Sequence, residues 1–273
     1  MRSDEVIHLD SLTEEEAWLL FQESASPHEN LQLLVEPESI AHQIVKACQG
    51  LPLALITVGK VLQGRHRDEW CHVLDQIKSS YPMPKIAEGN RLPVSFLIAY
   101  YNLPLAERQC FTYFAIFPRD EVIVVKDLIQ LWMAQGFLSP YENKDMEKLG
   151  YEYIETLTES GLLLVFDQDK DDKRIISCKL HDLLHSFGQS LLKNEGFATV
   201  VDSKHPPLTS LHESTRHLSL KFARQTVFPK PVQNAKFLRT FLILNARHAS
   251  INTVLPDWFK QLTCMQDSSI HSI

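Results

Sequence analysis

Residues 110–137 read CFTYFAIFPRDEVIVVKDLIQLWMAQGF, and residues 162–182 read LLLVFDQDKDDKRIISCKLHD. The first stretch predicts two helices: one over 105–115, dense in aromatic residues, and one over 125–135 with Leu128, Leu131 and Trp132 facing inward. Phe117-Pro118-Arg119-Asp120 is the turn between them, and Gly136 stops the second. Another helix is expected over 145–159, with Leu149, Tyr153, Ile154 and Leu157 inward. In the second stretch the period changes to that of extended chain. Leu162–Phe166 and Ile175–Leu180 flank the polar turn Asp167–Arg174, which predicts a β-hairpin, and residues 181–193 return to helix. Helices followed by a hairpin outline a winged-helix domain, a fold that serves both DNA binding and protein regulation.

Upstream, the pattern is helical throughout. Glu14, Glu15 and Glu16 suit the positive end of a helix over 11–23, with Ser11 or Thr13 as its cap. Ile40, Ala41, Ile44, Val45 and Cys48 mark a helix over 38–48, and Gly50 suits its left-handed end. Pro52 then fits the first turn of a helix ending at Leu62, and Trp70, Val73, Leu74 and Ile77 mark another over 68–78. Residues 93–101 start the second unit with a short helix. Downstream, Arg216–Leu220 and Phe237–Leu244 are strand-like runs about 22–24 residues apart, inside the spacing range of leucine-rich repeats but equally that of ordinary strands. Residues 264–273 carry no pattern. The division expected is 1–88, 89–195 and 196–273.

The net charge of -7 is uneven: -7 over 1–90, -5 over 91–195 and +5 over 196–273. That sign change supports a boundary near 195. The five cysteines have no CxxC spacing and several sit in apolar stretches, which fits a reducing, cytoplasmic setting. The longest apolar run, Leu51–Val58, is too short for a membrane span, and the first residues lack the apolar core of a signal peptide.

Four blocks carry a family resemblance. Gly50-Leu-Pro-Leu-Ala-Leu55 resembles the GLPLAL motif of plant NB-ARC leucine-rich-repeat resistance proteins. Cys110 to Asp120 resembles their CFxYCxxFP block, Leu128 to Phe137 their LIxLWxAEGF block, and Lys179-Leu-His-Asp182 their MHD motif with Leu180 for Met. The chain looks most like the coiled-coil subclass. The resemblance implies a mainly α architecture: an ARC1-like helical bundle, a winged-helix ARC2-like domain with its hairpin, and the start of an α/β leucine-rich-repeat solenoid. It also implies roles. Pro52 would lie against the base of a bound ADP or ATP, His181 would reach the β-phosphate of ADP, and Arg2 would match a phosphate-sensing arginine. Leu180, His181 and Asp182 would form the switch motif. The other reading of His181, from its place between hairpin and helix, is a capping residue.

No G-x-x-x-x-G-K-[ST] run occurs; Gly59-Lys60 lacks both the first glycine and the Ser/Thr. Without a backbone cradle for phosphates, tight nucleotide binding and ATP hydrolysis are not expected of this chain alone. It therefore reads as a truncated fragment without the P-loop, the regulatory lid half of an innate-immune switch. Its expected partners are a nucleotide-binding domain or full-length receptors, and, through the repeats, a pathogen effector or guarded host protein. An alternative is a protein-interaction regulator of full-length receptors. A nucleic-acid-binding winged helix is the other alternative, but helix 125–135 offers only Lys126 beside Asp127. The hairpin turn sets Asp167, Asp169, Asp171 and Asp172 against Lys170, Lys173 and Arg174, so DNA is not expected. His181 and His185 have the i, i+4 spacing of a zinc helix, but Asp182 is one methylene shorter than a catalytic Glu, no third ligand is evident, and no metal is expected. Cys110 has no His partner and reads as core.

Overall fold

The computed structural model describes residues 11–25, 40–79, 94–138, 145–195, 197–201, 215–221, 237–244 and 267–271. They fall into two compact units. The first takes in Met1–Lys85, Gly89–Leu103 and Glu159–Leu162; the second takes in Ile86–Glu88, Pro104–Thr158 and Leu163–Ile273. The boundary expected at 88 lies outside the described residues.

The described part of the first unit is helical: α1 (Glu14–Ala25), α2 (Ile40–Ala47), α3 (Pro52–Leu62), α4 (Arg67–Ser79) and α5 (Val94–Asn102). Thr13, not Ser11, caps α1. Its hydroxyl accepts from the Glu16 N–H at 3.3 Å, while the Glu16 carboxylate accepts from the Thr13 N–H at 2.9 Å. This reciprocal box satisfies two of the donors a helix start leaves unpaired. On α2, Ala41, Ile44 and Val45 are buried, the spacing of one helical face. The α2–α3 turn runs through Gly50 at φ +67°, whose carbonyl accepts from the Leu12 N–H at 3.0 Å. A β-carbon at Gly50 would stand 2.5 Å from the Leu12 carbonyl oxygen, so only glycine fits. Phe21 meets Trp70 edge-on at 5.9 Å in the core of this bundle.

The second unit begins with α6 (Leu105–Tyr113) and a 3-10 turn, Phe114–Ile116. Then come β1 (Ile123–Val124), α7 (Val125–Gln135), α8 (Met146–Glu159), β2 (Leu164–Gln168), β3 (Ile175–Lys179) and α9 (Asp182–Glu195). Gly136 ends α7 in the left-handed conformation, as expected. β1, β3 and β2 form an antiparallel sheet with β3 in the middle, Ile123 paired with Cys178 and Val165 also with Cys178. This is a winged helix, and β1 is an element the sequence pattern did not announce: two residues carry no period. Cys110, Phe111, Phe114 and Trp132 are the core, all within 1% of full burial. Tyr153, expected inside, is part-exposed.

The tail of this unit is a second sheet. β4 (Phe197–Val201), β5 (Thr215–Lys221), β6 (Thr240–Leu244) and β7 (Asp267–His271) lie side by side in chain order, all parallel. β5 and β6 fall on the two strand-like runs. β7 corrects the reading of 264–273 as patternless, because a strand at this place is set by its register with β6 rather than by its own residues.

Candidate functional site

β3 delivers the chain to the start of α9. Leu180 is buried at 6% exposure and anchors the junction. His181 follows, half-buried, and its backbone carbonyl accepts from the His185 N–H at 2.9 Å, the first bond of the helix. Its ring turns back as well: Nδ1 accepts from the Leu183 N–H at 3.3 Å. The imidazole thus caps α9 as a side-chain acceptor. An accepting Nδ1 places the ring proton on Nε2, so the second nitrogen is a donor. Asp182, exposed in the first turn, adds a negative charge where the helix dipole favours one. Capping and donation use different nitrogens, so the two readings of His181 are compatible.

α9 is fastened to the Phe117-Pro118-Arg119-Asp120 turn. The buried His185 places Nε2 at 2.7 Å from the Phe117 carbonyl oxygen and donates to it, while Arg119 donates to the Ser186 hydroxyl at 2.9 Å. Gln189 donates to the Ala115 carbonyl, and Phe111 meets Phe187 at 6.0 Å. Burial above all, with Arg119 adding repulsion, holds the His185 pKa below its ordinary value. His185 ties α9 to this turn, whereas sequence reasoning weighed it only as a metal ligand. Its i, i+4 spacing from His181 reflects one residue at the helix cap and the next on the buried face. Among the described residues no group of three His, Cys, Asp or Glu could hold a metal ion.

Pro52 opens α3 in the first unit, exposed, behind an exposed Leu51 that makes no side-chain cap. Arg2 lies outside the described residues. Burial pushes the Cys110 thiol well above the usual range, as expected of a core residue. α7 exposes Lys126, Gln130 and Met133, and the hairpin exposes Asp167, Asp171 and Asp172 beside Lys170, Lys173 and Arg174. Neither is a basic face. Among the described residues no helix is long and apolar enough to cross a membrane.

Residues 116–187 match the family described as Disease resistance protein Winged helix domain. The chain is 31% identical over 252 residues to the putative disease resistance protein RGA1 of Solanum bulbocastanum, covering 85% of this chain and 25% of that protein. It is 33% identical over 248 residues to the putative disease resistance protein RGA4 of the same species, covering 82% of this chain and 24% of that protein. It is 32% identical over 253 residues to a putative disease resistance RPP13-like protein of Arabidopsis thaliana, covering 90% of this chain and 22% of that protein. The chain spans about a quarter of the length of these relatives. By its winged helix, and by this kinship over most of its length, the chain belongs to the plant NB-ARC disease resistance proteins.

Proposed function

We propose that this chain is the regulatory lid part of a plant immune receptor of the coiled-coil subclass, whose state is set by bound ADP or ATP. The observation that carries this reading is the His181 ring. One nitrogen is held by the helix start, and the other is left as an N–H donor of fixed direction on a half-buried surface. Such a donor suits a phosphate oxygen, a hydrogen bond to a charged group worth roughly 1.5–3 kcal/mol. Pro52, exposed at the start of α3, is a flat apolar surface suited to a nucleotide base. Arg2 is proposed as a weaker phosphate contact on sequence alone.

The tail sheet supports a leucine-rich-repeat reading: its strands are parallel and stack in chain order, as solenoid strands do. Through such repeats the receptor would meet a pathogen effector or a guarded host protein. The free cysteines Cys48, Cys71, Cys110 and Cys178 support a cytoplasmic setting.

Titration of ADP with magnesium into this chain alone should show no binding tighter than about 1 μM, or about -8 kcal/mol. Supplied with a P-loop domain from a close relative, the reassembled protein should retain ADP. His181→Ala should then weaken retention by about tenfold or more and give signalling without a pathogen. Equal ADP retention by the variant and the parent would refute the role given to His181.

A further inference from the structure

A cleft of about 300 Å³, counting its open mouth, is cut into the second unit between β1, the start of α7 and the end of β6. Its floor is aliphatic. Ile123, Leu128, Leu131 and Leu244 are each at most 6% exposed, yet all four border this empty space. Most of the volume lies at the mouth and the enclosed part is narrow, so the cleft suits the end of a slim alkyl chain.

The polar side chains on the wall are Glu121 and Asp127, and among the described residues no side-chain donor lines it. Local structure sets both acids there. The Glu121 N–H donates to the Pro118 carbonyl at 3.3 Å, and Asp127 lies in the first turn of α7, where the helix dipole favours its charge. A wall that accepts and never donates, over an aliphatic floor, is complementary to an alkyl chain ending in a cation. It repels a carboxylate or a phosphate. The chain itself supplies one instance of this pairing. Lys221 places its ammonium on the Glu121 carboxylate, whose side chain is only 13% exposed. The rim of the cleft thus already receives a primary ammonium, from a residue outside the wall.

We propose that this cleft binds a small aliphatic amine, its alkyl chain on Ile123, Leu128, Leu131 and Leu244 and its ammonium between Asp127 and Glu121. Lys221 is then a competitor, because its ammonium holds one of the two carboxylates that the ligand uses. The consequence has an unusual sign: removing a lysine beside the site strengthens the binding of a cation. The site goes beyond the nucleotide reading, since none of these residues belongs to the α9 cap.

The test is a titration of isopentylamine, and of isopentyl alcohol as its uncharged counterpart, into the full 273-residue chain with Ile, Leu and Val methyls labelled for NMR. Ile123→Val and Leu131→Met assign the two signals that report on the floor. The amine should move both, with a dissociation constant of about 1–10 mM for so small a probe. The alcohol should bind about fivefold more weakly. Asp127→Asn should weaken the amine about threefold and leave the alcohol unchanged. Lys221→Met, which keeps the stem and removes the charge, should tighten the amine about threefold. Val122→Phe, a ring added at the part-exposed rim, should abolish the binding of both. Thermal unfolding identifies the variants that are folded, and the comparison of amine with alcohol needs no variant. Equal affinity for amine and alcohol overturns the proposal, and so does silence of both signals up to about 50 mM amine. Amine binding that Asp127→Asn and Val122→Phe leave intact overturns it too, since the amine would then sit elsewhere on the acidic surface. Weaker amine binding by folded Lys221→Met overturns the competition.

Discussion

Two helices begin at the residues given roles here, and they begin in different ways. α3 starts at Pro52 behind a turn made by backbone: Gly50 is left-handed, its carbonyl is held by Leu12, and no side chain caps the helix. α9 starts at Asp182 behind a side chain, with the His181 ring taking the Leu183 N–H. A start made by backbone is indifferent to most side chains and intolerant at one position. A start made by a ring concentrates both stability and chemistry in that ring. Substitutions should therefore separate them.

The largest effect is expected at Gly50. Gly50→Ala asks an L-residue to hold φ +67° with its β-carbon 2.5 Å from a backbone oxygen that cannot move aside. The first unit should lose about 3 kcal/mol or more, seen as a lower urea midpoint. Next comes acid, acting on the second unit. Burial first, then Arg239 and Arg216, lower the His217 pKa to about 4. Below about pH 6.5 the unfolded chain takes up a proton that the folded chain refuses, so stability is whole above that pH and is lost as pH falls toward 4. The loss should reach up to about 3 kcal/mol, and His217→Gln should flatten the slope of unfolding free energy over that window.

His181→Ala should cost the second unit about 1 kcal/mol through the lost cap. His181→Asp sharpens the point: it caps but cannot donate, so thermal stability should return while ADP retention in the reassembled receptor should not. Recovery of both would show that capping is the whole role of the residue. The smallest effect belongs to Pro52→Ala, within about 1 kcal/mol, since the turn before it is held by Gly50. A larger loss would mean that α3 depends on its first side chain after all.

Most of the helical architecture is legible in the sequence. A cap at Ser11 or Thr13, Gly50 and Gly136 are local signals whose physics acts within a turn or two. What could not be read is what depends on a distant neighbour. β1 exists because Cys178 and Ser177 are there to pair with it. β7, reading Asp-Ser-Ser-Ile-His, exists because β6 offers an edge. At the candidate site the motif pointed to His181, but not to which nitrogen is engaged, since that depends on a ring rotation set by the helix it starts. The burial of the tail strands is another such case: Thr240 is fully buried with the Tyr113 hydroxyl, far upstream in the chain, 3.0 Å from its Oγ1.

The central place of β3 has a consequence for His181. Ile123 pairs with Cys178 across the whole of α7 and α8, and the hairpin partner β2 joins the same strand from its other side. Pairing β1 with β3 closes a long loop, an entropic cost that the packed helices between them offset, whereas pairing β2 with β3 closes only a short hairpin. His181 rides on the end of that strand. The residue proposed to sense the nucleotide thus sits at the end of a strand that is held on both sides, by the local hairpin and by β1 from across two helices.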